Sequence, residues 1–209
     1  MRVVAIDGPA GSGKSTVARE LARRLGLAYL DTGAMYRSVA FAALQRGIDP
    51  ADGAALARLA RDVDLEVSDR VIVDGVDATA EIRGPAVTRI VSAVSANPAV
   101  RQEMVRRQRA WVEEHGGGVV EGRDIGTVVF PDADAKVFLT ASDEERARRR
   151  QKDEDAPDVT AVAADLARRD SLDSTRPVSP LRPADDAVVI DTTGRTVDEV
   201  ADQILSLLS

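Results

Sequence analysis

Apolar and polar residues follow two alternating rhythms along this chain. Short runs of branched apolar residues at 3–7, 28–31, 119–121, 136–140 and 188–191 stop at polar or turn-forming residues, as buried strands do. Between them the apolar positions recur three and four residues apart, as at Val17, Ala18 and Leu21 or at Val197, Val200, Ala201 and Ile204, which predicts helices with one buried face. Strands that alternate with helices predict an α/β fold: a five-stranded parallel sheet covered by helices, joined by right-handed crossovers. Ligands of such sheets bind at the carboxyl edge, and Asp7, Asp31, Glu121 and Asp191 stand at the ends of four of the runs. A polar residue also simply opens a loop, and that plainer reading is preferred for Asp7 and Asp191.

The interval between the second and third runs, 32–118, is far longer than one crossover needs, so it carries a substructure of its own. Within it, 64–75 alternates apolar and polar residues around a Ser68-Asp69 turn, and Asp74-Gly75 offers a second tight turn. That pattern predicts two or three short antiparallel strands. Two helices follow at 85–96 and 98–114, each opening at a proline, whose fixed φ suits a first helical turn. The expected organisation is one domain with its core at about 1–31, 116–142 and 185–209, a lobe at about 32–115 with a β insert at about 63–84, and a lid at about 146–162. The lid reading rests on the charged, irregular stretch 151–159 that follows the arginine-dense helix 144–150.

With 209 residues the chain is long enough to bury a substantial core. Its 35 acidic and 28 basic residues give a net charge of −7, so no general field draws it to nucleic acid or an anionic membrane, and any phosphate site must be basic locally. Arginines at 19, 23, 24, 58 and 61 read as solvated helix faces, whereas those beside glycine, aspartate or proline in apparent loops suit bidentate phosphate binding. Cysteine is absent, which excludes disulfides, thiolate catalysis and cysteine metal sites and fits a reducing compartment. No apolar run approaches the ~18 residues of a membrane span, and the first residues read as a strand rather than a leader. A soluble cytoplasmic protein, monomeric by default, is expected.

The chemistry concentrates first in the turn between strand 3–7 and the helix that follows. Gly8-Pro9-Ala10-Gly11-Ser12-Gly13-Lys14-Ser15-Thr16 is a phosphate-binding loop in its required context. The glycines let successive N–H groups curl around a phosphate, and the helix presents its positive end to the same anion. In this pattern Lys14 reaches the β- and γ-phosphates and Ser15 offers its hydroxyl to Mg²⁺. The nine residues Gly8 to Thr16 are therefore the expected ATP site.

Such a loop serves motors, switches and kinases alike, so a second site must decide between them. Three segments offer one: Asp31-Thr32-Gly33-Ala34-Met35-Tyr36-Arg37, then Glu121-Gly122-Arg123-Asp124-Ile125-Gly126-Thr127-Val128-Val129-Phe130-Pro131, and Arg168-Arg169-Asp170-Ser171-Leu172-Asp173-Ser174-Thr175-Arg176-Pro177. With these motifs the chain resembles, end to end, the bacterial-type cytidylate kinases of the nucleoside monophosphate kinase family. The resemblance implies a P-loop NTPase-type sheet, a monophosphate-binding lobe carrying the β insert, and a short lid. It also implies transfer of the γ-phosphoryl group of ATP to CMP or dCMP, with Mg²⁺ carried by ATP, in pyrimidine nucleotide metabolism.

By the same resemblance Thr32, Arg37, Ser92, Arg101, Arg123, Asp124, Arg169, Asp173 and Arg176 form the CMP site, with Ser92, Arg101 and Asp124 at base-reading positions. Lys14, Arg123 and Arg176 are the implied catalytic residues. Physical chemistry agrees on residue type, because phosphoryl transfer is a problem of positioning and of spreading negative charge, for which arginines are suited. Asp124 is an acceptor matched to the cytosine 4-amino group, or else it orients Arg123, and the two roles can coexist. Glu121 is a candidate for holding a Mg²⁺-bound water, and Arg146, Arg149 and Arg150 are lid-side candidates for the ATP phosphates. The single histidine, His115, reads as a helix-end residue. A general base is not required, since the second ionisation of a monophosphate lies near pH ~6 and its attacking oxygen is already anionic at neutral pH. Two other readings stay open: a loop kinase acting on UMP or an alcohol, and an ATP-binding switch that transfers nothing.

Overall fold

The computed structural model describes residues 1–154 and 158–208; Asp155, Ala156 and Pro157, which fall in the expected lid, lie outside the described residues. In chain order the elements are β1 (Arg2–Asp7), α1 (Lys14–Leu25), β2 (Tyr29–Asp31), α2 (Thr32–Gln45), α3 (Gly53–Asp62), β3 (Leu65–Val67), β4 (Val71–Val73), β5 (Val76–Asp77), a 3-10 turn (Glu81–Arg83), α4 (Pro85–Ala96), α5 (Pro98–Glu114), β6 (Gly117–Gly122), a π-helical turn (Ile125–Val129), β7 (Ala135–Thr140), α6 (Asp143–Glu154), α7 (Val159–Thr175), β8 (Val188–Asp191) and α8 (Val197–Ser206). Two compact units result, one of Met1–Tyr29 with Val112–Ser209 and one of Leu30–Trp111.

The larger unit is built on a five-stranded parallel sheet in the order β2-β6-β1-β7-β8. Its central strand, β1, pairs with β6 from Arg2↔Gly117 to Asp7↔Gly122 and with β7 from Val4↔Ala135 to Asp7↔Phe138. That register sets the carboxyl ends of three strands side by side. β1 reads as a continuous apolar run rather than an alternating one because both of its faces are covered, and Val3 to Ile6 are all buried. On one face α1 contributes Val17, Ala18 and Leu21, and α8 contributes Val200, Ala201 and Ile204, the same i, i+1, i+4 spacing in each. These side chains close over Val4, Ile6, Val119, Val137, Leu139 and Ile190, each large one contributing about 1.5–3 kcal/mol by leaving water. Thr196 starts α8 with a reciprocal capping box involving Glu199.

The smaller unit is organised around α2, of whose fourteen residues eleven are buried. A helix apolar on nearly every side is an axis for others, and α3, α4 and the small sheet pack against it. Asp31 starts it directly after β2, its Oδ1 accepting from the Ala34 N–H at 2.9 Å. The alternation at 64–75 becomes the antiparallel meander β3-β4-β5, in which Val71 and Val73 are buried.

The sequence predicts an irregular stretch at 151–159, yet α6 continues to Glu154 and α7 begins at Val159. Charge does not end a helix, and the chain meets no glycine or proline before Pro157.

The start of β6 lies against β1 with no space for a side chain. Gly117 has φ +138°, and a Cβ there would meet the Arg2 carbonyl oxygen at 2.4 Å. Gly117→Ala is expected to lower stability by about 3 kcal/mol or more, because backbone rather than a flexible side chain must give way. Urea unfolding measures it, and a loss under about 1 kcal/mol would mean that the strand pair separates easily.

Candidate active site

The phosphate loop leaves β1 at Gly8 and reaches α1 at Lys14. Gly8, Gly11 and Gly13 all take positive φ, at 147°, 76° and 86°. Gly8 also passes so close to β7 that a Cβ would lie 2.1 Å from the Leu139 carbonyl oxygen. Gly13 caps α1 without a side-chain oxygen, and the first turn holds no acidic residue, so the helix end keeps the positive character that favours an anion. Lys14 is buried and folds back over the loop, its Nζ donating to the Pro9 carbonyl at 2.7 Å. Ser15 and Thr16 stand exposed in the same turn.

Tertiary contacts brace the loop from outside. Arg146 of α6 donates to the Ala10 carbonyl at 3.1 Å while pairing with Asp143 and Asp170. The Thr192 hydroxyl, just beyond β8, lies 3.1 Å from the Ser12 carbonyl and 3.0 Å from that of Thr140. Arg149 in turn donates to the Thr192 hydroxyl and carbonyl, each at 2.9 Å. Two of the three lid-side arginines thus grip the loop or its support. Sequence reasoning missed this bracing, since nothing local couples α6 or Thr192 to residues 10–12.

A second constellation in the larger unit joins the end of β6 to the end of α7. Arg169 and Asp173, four residues apart, share one face of α7, and Arg176 follows as the residue that caps its end. Arg123 Nε donates to Asp173 Oδ2 at 3.1 Å, and Arg176 lies 3.8 Å from Asp173 and 3.9 Å from Asp124. Arg176 is further fixed by donating from Nε to the Ser179 carbonyl. Burial, then the charges of Arg123 and Arg150, hold the Arg169 guanidinium below its ordinary value. Like charges gathered at partial burial are costly unless negative charge sits among them, as the carboxylates of Asp124 and Asp173 do here. Arg123, Asp124, Arg169, Asp173 and Arg176 are therefore brought together.

Thr32, Arg37, Ser92 and Arg101 belong to the smaller unit. Thr32 and Arg37 are buried on α2, five residues apart, and Arg37 donates to the Ile82 carbonyl at 2.9 Å and to the Thr88 hydroxyl at 3.0 Å. Arg101, near the start of α5, is buried with its guanidinium 5.2 Å from the Tyr36 ring centre, and it donates to the Ser95 carbonyl at 3.1 Å. Ser92 is half-buried on α4.

A phosphate loop followed by an arginine–carboxylate cluster narrows the class to phosphoryl transfer, and comparison with known proteins decides the family. The profile of the cytidylate kinase family matches residues 4–209. The chain belongs to the cytidylate kinase family. It is 55% identical over 215 residues to a cytidylate kinase of Mycolicibacterium paratuberculosis, covering 99% of this chain and 94% of that one. It is 53% identical to a cytidylate kinase of Rhodococcus opacus with the same coverage, and 50% identical to a bifunctional pantoate ligase/cytidylate kinase of Synechococcus, where the match spans 98% of this chain and 44% of that protein. Among solved structures, the fold is shared with TT1252 from Thermus thermophilus (TM-score 0.53, 19% identity, 100% of this chain and 98% of that one) and with a putative kinase from Chloroflexus aurantiacus (TM-score 0.51, 15% identity, 100% and 98%).

Two carboxylates of this cytidylate kinase-family chain stand at the carboxyl edge of the sheet. Glu121 is buried and accepts from the Tyr29 hydroxyl. Asp7, read from the sequence as a loop opener, is instead buried and accepts from the Ile125 and Gly126 N–H groups, each at 2.8 Å. Burial pushes its carboxyl up to about 6; the two N–H donors and Lys14 oppose the shift, and Asp124 adds to it. Because the folded state then holds a proton that the unfolded chain, at 3.8, has released, stability falls as pH rises between those values. The difference amounts to about 3 kcal/mol across that window. Urea titrations of wild type and Asp7→Asn from pH 4 to 7 measure it. The stability of wild type relative to the variant is expected to fall as pH rises from 4 to 6, and parallel curves would mean that the carboxylate is not desolvated.

Proposed function

We propose that this protein transfers the γ-phosphoryl group of ATP to CMP or dCMP, giving ADP and CDP or dCDP. The carrying observation is the pairing, within one unit, of an anion-binding loop with a buried arginine–carboxylate cluster, in a chain of the cytidylate kinase family. Gly8 to Thr16 hold the ATP phosphates. Lys14, now on the Pro9 carbonyl, exchanges that weak neutral acceptor for the β- and γ-phosphates and stabilises the charge that moves during transfer. Arg123, Arg169 and Arg176 hold the acceptor phosphate and meet the transferring group, and Asp173 orients two of these arginines and accepts from the ribose.

Asp124 reads the base by accepting from the cytosine amine, while Ser92 and Arg101 complete recognition of the ring and Thr32 and Arg37 serve the acceptor phosphate. The exposed Ser15 hydroxyl suits Mg²⁺, a hard cation that binds few protein oxygens and several phosphates and waters. Glu121 would orient one such water. Mg²⁺ bound with ATP would neutralise charge on the β- and γ-phosphates. No helix among the described residues is long and apolar enough to cross a membrane. We place the protein in the cytoplasm as a monomer, acting in pyrimidine nucleotide metabolism.

Release of ADP with ATP, Mg²⁺ and each of CMP, dCMP, UMP, AMP and GMP tests the activity: CMP and dCMP should stimulate it most. ATP binding without acceptor-dependent release would mean a switch instead. Lys14→Ala should fold normally and lose about 10²-fold or more in kcat, because it faces charge developed in the transition state. Near-normal turnover would refute its role.

Asp124→Asn keeps the shape but replaces a pure acceptor by an amide that also donates. A hydrogen bond to a charged group is worth about 1.5–3 kcal/mol, so the CMP/UMP ratio of kcat/KM should fall about ten- to a hundredfold. A common loss for both nucleotides would leave Asp124 only orienting its neighbours.

A further inference from the structure

Asp7 is the last residue of β1 and immediately precedes the phosphate loop, yet its hydrogen bonds run to the other half of the site. Its two carboxylate oxygens accept separately from consecutive backbone donors, Oδ1 from Ile125 and Oδ2 from Gly126. These are the first two N–H groups of the π-helical turn, a rare backbone form that is frequent at functional sites. From the other side, the Asp124 carbonyl accepts from the Val128 and Val129 N–H groups at 2.9 and 3.2 Å. The peptide group that follows Asp124 is therefore held at both of its polar ends, its N–H by Asp7 and its carbonyl by Val128 and Val129, with Asp124 itself at φ −145° and ψ 26°, where neither a helix nor a strand would hold it.

The strand register makes the clamp short: Asp7 lies opposite Gly122, the residue before Arg123. Burial makes this carboxylate expensive, and Asp124 beside it adds repulsion. A neutral isostere would avoid that cost but would offer one oxygen to two N–H groups and turn its own NH₂ against the second. Only a carboxylate offers each N–H an oxygen of its own. The phosphate loop, by contrast, has separate supports in Arg146 and Thr192.

We propose that Asp7 is a positioning residue for the acceptor nucleotide: by holding the Ile125 and Gly126 N–H groups it keeps Arg123 and Asp124 in register to meet CMP, and ties them to the strand that carries the phosphate loop. This rests on the acceptor-side reading of Arg123 and Asp124 given above. When the clamp loosens, the segment drifts and CMP affinity is lost first, while ATP remains held by the independently braced loop.

The test compares wild type, Asp7→Asn, Asp124→Asn and the double variant. For Asp7→Asn, KM for CMP should rise about tenfold or more, ATP affinity by calorimetry without CMP should stay within about twofold, and amide exchange at Ile125 and Gly126 should accelerate. In the Asp124→Asn background the added effect on CMP should shrink, because both changes act on one segment. An unchanged KM for CMP, an equal loss of ATP affinity or unaltered exchange would each overturn the positioning role, and full additivity would overturn positioning through Asp124.

The two readings fail separately. If Asp124→Asn leaves the CMP/UMP ratio unchanged while Asp7→Asn still raises KM for CMP alone, base reading by Asp124 falls and positioning stands through Arg123. If Asp124→Asn erodes selectivity and Asp7→Asn leaves CMP untouched, positioning alone falls. Should Asp7→Asn not fold, Asp7→Glu carries the same test, since it keeps both acceptors but sets them one methylene further out. A CMP-selective rise in KM supports the proposal there, and equal change for both substrates overturns it.

Discussion

The close passage of Gly8 over the end of β7 sets what the rest of this protein can do. With 2.1 Å between an imagined Cβ and the Leu139 carbonyl oxygen, only hydrogen fits, and only glycine tolerates φ +147°. Because the chain can pass there, the loop turns at once into α1 rather than arching away from the sheet. Lys14 then sits at the first helical position, α1 brings Val17, Ala18 and Leu21 down on the sheet, and the positive helix end faces the site. Core packing and anion binding therefore share one steric condition at one residue.

Charge is the second constraint. A protein of net charge −7 must bind two polyanions, so positive charge has to be gathered locally and kept from collapsing onto its own carboxylates. The same local pattern, a glutamate followed by arginines three and four residues later, occurs at Glu20, Glu103 and Glu145, and in each case both arginines close on the glutamate. Where the pairs face solvent, as with Arg23 and Glu20, they add little to stability. At Glu145 the pattern takes on another use, because the pairing orients Arg149 toward Thr192 and so toward the phosphate loop. Around Asp124 and Asp173 the balance reverses: Arg123, Arg169 and Arg176 outnumber the two carboxylates they face.

The two halves of that chemistry meet mechanically in β1. Its side chains fill the core, its last residue holds the turn after Asp124, and the residue after that opens the phosphate loop. A buried carboxylate at such a point lowers stability at neutral pH, and its retention makes sense as the geometric requirement of two parallel N–H donors. The interior of this sheet is thus not uniformly optimised for stability; it gives up some where the site needs a fixed backbone.

By itself the sequence determined what depends on local pattern. Five apolar runs separated by helical periodicity specified the α/β sheet, the glycine spacing at 8–13 specified the phosphate loop, and the segments at 31–37, 121–131 and 168–177 specified the family and its basic residues. The proline-led helices at 85 and 98 and the small meander were legible for the same reason, since turn and helix-start preferences act over a few residues. Only the tertiary structure decided which polar groups are buried against which partners. Asp7 reads in the sequence as a loop opener because its two N–H donors lie 118 and 119 residues away, and Arg146 and Arg149 read as lid-side candidates for the ATP phosphates because the carbonyls of Ala10 and Thr192 that they meet belong to other elements. Local propensity carries no record of such pairings. They follow from the strand order, which places β1 between β6 and β7 and so chooses the backbone that each side chain at the carboxyl edge will meet.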